Sequence, residues 1–181
     1  MKNKTLSIAY IPLMAVVITL CAWITIPFVI PFTLQSFGVY MTLRLLGGRN
    51  GTLSILLYIL MGAVGLPVFS SFGAGIGYIL GPTGGYLMGF LLCGLIYLLY
   101  ENLRQKISSD LPFLLAGTAT YYLCGTLWYM TVTAHNGDSI GILPAAAICI
   151  LPYILPDMLK LLLAIRLSTK IKRTISYEQN S

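Results

Sequence analysis

Asp157 and Lys160 are the only charged residues between Asp138 and Arg166, and both interrupt the apolar run Pro152-Tyr153-Ile154-Leu155-Pro156-Asp157-Met158-Leu159-Lys160. At a spacing of i,i+3, a carboxylate and an ammonium share one helix face and reach one another. Proline suits the first turn of a helix, so Pro156 is expected to open a helical segment with Asp157 near its N-terminus. Two readings of the pair follow. In one it neutralises itself and helps the helices pack, although buried ion pairs are weak evidence for stability. In the other it offers an acceptor and a donor to a polar ligand in an otherwise apolar pocket, which is how small-molecule sites are built. Either charge at mid-membrane costs roughly 2.5–3.5 kcal/mol on insertion scales, so both are expected to face a bundle interior.

Other chemistry finds little support. The chain has no P-loop, HExxH, GxSxG or paired carboxylates, and its one histidine, His135, sits in a polar connection and reads as a surface residue. Cys21, Cys93, Cys124 and Cys149 fall in apolar segments at wide spacing, without a CxxC or Cys/His cluster. They read as packing residues, not as a metal site or disulfide framework. No catalytic residue, metal or cofactor is expected. Without an ATP-binding motif, energised transport would have to come from a partner.

The elements that position Asp157 and Lys160 are read from charge and hydropathy. Hydrophobic residues make up 57% of the 181 and charged residues only 9%, against about a quarter charged in an ordinary soluble domain. No Asp, Glu, Lys or Arg occurs in 5–43, 51–100 or 111–134. A spanning helix needs roughly 20 mostly apolar residues. The first two runs therefore hold two spans each, the third holds one, and a sixth lies between Gly141 and Leu167. The expected spans are 6–28, 36–47, 51–65, 85–103, 112–134 and 142–167, forming one all-α transmembrane domain, with 168–181 as a basic cytoplasmic tail. A soluble helical core would need polar helix faces, and these segments have none.

The net charge of +6 could suggest nucleic acid, but the placement of the cations argues otherwise. Lys2 and Lys4 precede span one, Arg44 and Arg49 separate spans two and three, and Arg104 and Lys106 separate spans four and five. Arg166, Lys170, Lys172 and Arg173 close the chain. The alternate connections 27–37, 66–84 and 135–140 contain no Lys or Arg. Positive connections are cytoplasmic, which predicts six spans with both termini inside. The apolar stretch after Lys4 is longer than a signal-peptide core and lacks an Ala-x-Ala site, so it reads as a retained first helix.

Pro27 and Pro31 mark a non-helical outer loop. The segment 65–85 holds seven glycines, Pro67 and Pro82, and no charge. Such backbone is tolerated at membrane depth only where protein buries it or it lines a cavity, so it is expected to fold into the outer side of the bundle. Gly81, Gly85, Gly89 and Cys93 recur every fourth residue and would let another helix approach closely. No internal repeat is visible, which weighs against inverted-repeat transporters.

Four segments together resemble the BioY family, the biotin-specific substrate-binding (S) subunits of energy-coupling factor (ECF) transporters. They are Ile30-Pro31-Phe32-Thr33-Leu34-Gln35, Gly65-Leu66-Pro67-Val68-Phe69, Gly81-Pro82-Thr83-Gly84-Gly85-Tyr86 and Pro156-Asp157-Met158-Leu159-Lys160. The resemblance runs over nearly the whole chain in length, order and span count. It implies a six-helix S-component bundle with a biotin site toward the outer face, and docking onto a membrane coupling subunit that carries two ATPases. It also places Asp157 and Lys160 in the ligand site.

On this resemblance, Asp157 is expected to accept from a ureido N–H of biotin, and Lys160 to orient Asp157 and donate to the ligand carbonyl or carboxylate. Gly84 and Gly85 would allow close approach, Gln35, Thr33 or Tyr86 would add a polar contact, and Trp23 or Phe32 would pack on the rings. S components dock through small residues on helix one. Ala15 and Thr19 fit that pattern here, whereas Leu13 and Trp23 depart from it. The remaining alternatives are a subunit of the same architecture for another vitamin or metabolite, and an unrelated membrane channel or enzyme.

Overall fold

The first helix, α1, runs Lys4–Trp23 and ends before the two prolines expected to break it. The computed structural model describes residues 4–103, 109–138 and 140–178. Lys2, Arg104 and Lys106, counted above among the cations, lie outside the described residues. After α1, strand β1 (Thr25–Ile26) pairs antiparallel with β2 (Phe32–Thr33), with Thr25 opposite Thr33. Pro27 and Pro31 fall in the connection, where their missing N–H groups cost no ladder bond.

Helix α2 spans Gln35–Ala63 but breaks at Gly47, whose φ of 85° and ψ of 174° are not helical. The break is a reversal. Gln35 Nε2 donates to Tyr58 Oη at 3.0 Å, whereas 23 residues of straight helix would separate them by about 35 Å. Spans two and three are thus the two arms of this hairpin. A Cβ at Gly47 would also run into the Glu101 carboxylate, so glycine is required there for both φ and space.

Of the glycine-rich segment, 68–70 and 84–85 are buried, whereas Ile76–Leu80 has no buried residue. The segment forms a 3₁₀ turn at Ser70–Phe72 and a short helix α3, Ile76–Leu80. Phe69 is wholly buried, stacked on Tyr78 at 4.9 Å and edge-on to Tyr58 at 5.5 Å. Its ring occupies the space that a side chain at Gly62 would need.

Helices α4 (Gly84–Leu103) and α5 (Leu111–His135) pack closely. The stripe of small residues lies along this contact: Gly85 meets Trp128 and the Cys124 carbonyl, Gly89 meets Tyr121, and Cys93 meets Gly117. The last path through the bundle is α6 (Ile142–Cys149) followed by α7 (Leu151–Glu178).

One expectation is corrected here. Pro156 does not open the final helix, because α7 already begins at Leu151, with Pro152 in its first turn and Pro156 inside. One proline removes only one rung of the helix ladder, and flanking packing carries the helix across it. The segment after residue 167 is helical to Glu178, so Lys160 lies about 20 Å along the helix from Arg173.

With the arms of α2 counted separately and α6–α7 as one broken path, six helices cross the bundle. Gly84–Leu103 and Ile142–Thr174 are each long and apolar enough to cross a membrane, and Ala9–Trp23 is a shorter apolar helix. The distribution of residues is inverted relative to a soluble protein. Leu143, Leu155 and Val64 are among the most exposed residues, whereas Gln35, Ser36, Thr42, Ser54, Asp157 and Lys160 are buried. That arrangement suits a hydrocarbon solvent, where exposed polar groups are the costly ones.

At the end of the bundle where α2 reverses, a polar clasp joins four helices. Arg44 pairs with Asp110 and donates to Ser168 Oγ at 2.7 Å and Thr169 Oγ1 at 3.3 Å, while Tyr97 Oη donates to Asp110 at 3.1 Å. The two charged side chains are only 12% and 18% exposed. Breaking a buried pair from one side costs about 3–5 kcal/mol, so Arg44→Ala in this partly wet site is expected to cost about 2–4 kcal/mol. Thermal unfolding in detergent checks this. Arg44→Leu with Asp110→Leu should recover part of the loss, because no lone charge then remains.

Candidate ligand-binding site

The site is built around α7. Asp157 and Lys160 project from its buried face one turn apart, with Lys160 Nζ 2.7 Å from Asp157 Oδ1. Their side chains are each only 7% exposed. Ser36 Oγ, from the first turn of α2, also donates to Oδ1, at 3.0 Å. Two consecutive tyrosines of α5, Tyr121 and Tyr122, both donate to Oδ2 at 2.7 Å. A carboxylate has about four lone-pair positions, and here each has a donor. Lys160 directs a second proton to the Thr33 carbonyl of the β-hairpin at 2.7 Å and sits 4.0 Å above the Phe32 ring. A buried charge pair is tolerated only when such hydrogen bonds complete it.

A second layer holds these donors in place. Tyr121 Oη is 3.0 Å from Tyr40 Oη, which is 2.6 Å from Thr118 Oγ1. Tyr153 donates to the Ile30 carbonyl and its ring stacks on Phe32 at 6.3 Å, tying the hairpin to α7. Tyr86 donates to the Cys149 carbonyl at 2.7 Å, tying α4 to the end of α6.

Above the pair lies an open cavity lined by polar and apolar side chains, the mixture on which small-molecule sites are built. Its walls come from the hairpin, the glycine-rich segment, the first turns of α2 and α4, the middle of α5 and the first half of α7. Hydroxyls from Ser36, Ser70, Thr83, Tyr121 and Tyr122 stand beside apolar surface from Ile30, Pro31, Leu87 and Phe90. Such a lining suits a ligand with a compact polar head, carrying donors and acceptors, and an apolar body.

Of the residues singled out from sequence, Asp157, Lys160, Thr33, Gln35 and Tyr86 line this cavity together. Phe32 lies beneath the Lys160 ammonium. Trp23 is placed elsewhere: its Nε1 donates to the Pro67 carbonyl at 2.9 Å and its ring lies 5.0 Å from Phe72. Gly84 and Gly85 permit close approach, but of protein to protein. A Cβ at Gly84 would overlap the Ile79 carbonyl, and one at Gly85 would overlap Trp128. Ala15 and Thr19, the expected docking residues, are both buried against the rest of the chain. The exposed side of α1 carries Leu13, Val16 and Leu20 instead.

Ser36, Tyr121 and Tyr122 do not stand out in the sequence. The usable signal is a pair of tyrosines inside an uncharged span, since a buried Tyr hydroxyl needs a partner.

The BioY family profile matches residues 1–177. Among curated proteins, "Biotin transporter BioY" of Thermotoga maritima is 35% identical over 153 residues, covering 84% of this chain and 87% of that protein. "Biotin transporter BioY2" of Lactococcus lactis subsp. cremoris is 29% identical over 177 residues, covering 97% and 94% respectively. A crystal structure of the S-component for biotin from an ECF-type ABC transporter superposes with a TM-score of 0.82 at 25% identity, covering 96% of this chain and 95% of the other. With the profile spanning almost the full length and the fold shared from end to end, the chain belongs to the BioY family.

Proposed function

We propose that this chain captures biotin as the S component of an ECF-type transporter. The observation that carries the reading is the Asp157–Lys160 pair, buried at the base of an open cavity with every acceptor position of Asp157 engaged. A self-neutralised pair has no net charge with which to attract a charged head group. It suits a neutral ring that both donates and accepts, such as the ureido ring of biotin with two N–H groups and one carbonyl. The apolar wall of Ile30, Pro31, Leu87 and Phe90 suits the sulfur ring and chain.

Because every acceptor position of Asp157 is engaged, a ureido N–H reaches that carboxylate by exchange with a resident donor. Lys160, with its third proton, donates to the ligand carbonyl or carboxylate. Transport is energised by partners, a membrane coupling subunit and two ATPases. The chain sits as a multi-pass protein in the plasma membrane. Exposed Arg49, Arg166, Lys170 and Arg173 gather at the end where α2 reverses, which supports, by the positive-inside rule, a cytoplasmic reading of that end and of both termini.

Titration of the purified protein tests the ligand. Biotin is expected to give saturable binding, with no response to riboflavin or thiamine at the same concentrations. An equal response to all three, or none to biotin, sinks the assignment.

A further inference from the structure

One face of α7 changes character abruptly. Leu155, Leu159 and Leu162 and then Arg166, Lys170 and Arg173 follow one another at intervals of three or four residues and are all exposed. At 3.6 residues per turn the six fall in one sector about 80° wide. The opposite face carries Asp157, Leu161, Ala164 and Ser168, all buried in the bundle. The sector is therefore the outward side of the helix along its whole length. Its leucines meet hydrocarbon, and the three cations continue the same side for about 10 Å beyond it. That is headgroup depth on the lipid-facing side, pointing away from the cavity and the bundle axis.

We infer that Arg166, Lys170 and Arg173 form a seat for anionic phospholipid headgroups at the membrane surface. The occupant follows from continuity and charge. Lipid already covers this sector one turn above, and a phosphate accepts bidentate hydrogen bonds from guanidinium. Each cation near an anionic surface contributes roughly a fivefold preference, so the three together give a preference on the order of 100-fold at low salt. The preference weakens as salt rises. The inference rests on the membrane fold and not on the identity of the ligand.

The test compares the full-length protein with the variant Arg166→Gln, Lys170→Gln, Arg173→Gln in detergent micelles doped with phosphatidylglycerol or phosphatidylcholine. Bound lipid is counted by native mass spectrometry and stability is followed by thermal unfolding. The unaltered protein is expected to retain phosphatidylglycerol preferentially and to gain thermal stability from it. The variant should lose both effects while binding biotin unchanged, since none of its altered residues lines the cavity. Equal retention of phosphatidylglycerol by both proteins overturns the inference, as does equal retention of the two lipids by the unaltered protein. If the variant instead loses only its association with a coupling complex, the surface serves a protein and the lipid seat is wrong. Biotin binding is read separately, so failure of the lipid seat and failure of the ligand assignment give different results.

Discussion

Biotin binding by the variant Asp157→Asn, Lys160→Ala is expected to fall at least about 100-fold, because a charge-assisted hydrogen bond contributes about 1.5–3 kcal/mol and two such contacts are removed. The double change is chosen because it leaves no lone charge in the bundle. The amide introduced by Asp157→Asn keeps one acceptor oxygen for Ser36 or for the tyrosines, and Lys160→Ala removes the ammonium that otherwise needs a counter-charge. The protein is therefore expected to insert and unfold cooperatively. A single Asp157→Ala change behaves differently. It leaves the Lys160 ammonium with only the Thr33 carbonyl and the Phe32 ring, and it removes the carboxylate that accepts from Ser36, Tyr121 and Tyr122. Breaking a buried pair in this way costs about 3–5 kcal/mol, which should appear as a large fall in Tm. Calorimetric titration and thermal unfolding separate the two outcomes. Unchanged affinity in the double variant removes the pair from the ligand site.

Gly89→Val is expected to lower stability and biotin affinity together, although Gly89 lines no part of the cavity. A Cβ at position 89 would lie 2.5 Å from Tyr121 Cα and 2.6 Å from its Cβ. The obstacle is backbone, so the helices must separate. Overpacking of this kind costs typically 1–3 kcal/mol, with larger values where backbone must move, so about 3 kcal/mol is expected here. Moving α5 outward also draws the Tyr121 hydroxyl away from Asp157, 2.7 Å distant, and disturbs the Tyr121–Phe90 ring contact at 5.1 Å. A Gly77→Ala variant is the control, since a Cβ there meets nothing within 4 Å. Wild-type Tm in Gly89→Val would show that α4 and α5 do not pack as closely as described. Wild-type affinity with a lowered Tm would show that Tyr121 does not shape the site.

The parts of this protein legible in its sequence are those that a single helix encodes along its own length. Charge-free runs set the number of crossings, because hydrocarbon penalises every unpaired charge. The i,i+3 spacing of Asp157 and Lys160 required a shared face, and the every-fourth recurrence of Gly85, Gly89 and Cys93 required a close neighbour. Gly/Pro composition required that protein cover part of residues 65–85, and Val68, Phe69 and Ser70 are buried there.

Tertiary structure decided which partners those faces meet. Small residues at Ala15 and Thr19 are compatible with either an external docking stripe or internal packing, and only the rotation of α1 against α2 turns them inward. Arg44, near the end of the first arm of α2, and Asp110, just before α5, have no periodic relation between them, yet they meet because the helix ends converge. The donors on Asp157 come from residues 36, 121 and 122, far away in the chain. Serine and tyrosine hydroxyls barely change hydropathy, so they leave almost no trace in a pattern read along the chain. Their direction, and hence the shape and polarity of the cavity, is set by the relative rotation of whole helices, a non-local quantity that the periodicity of each helix leaves free.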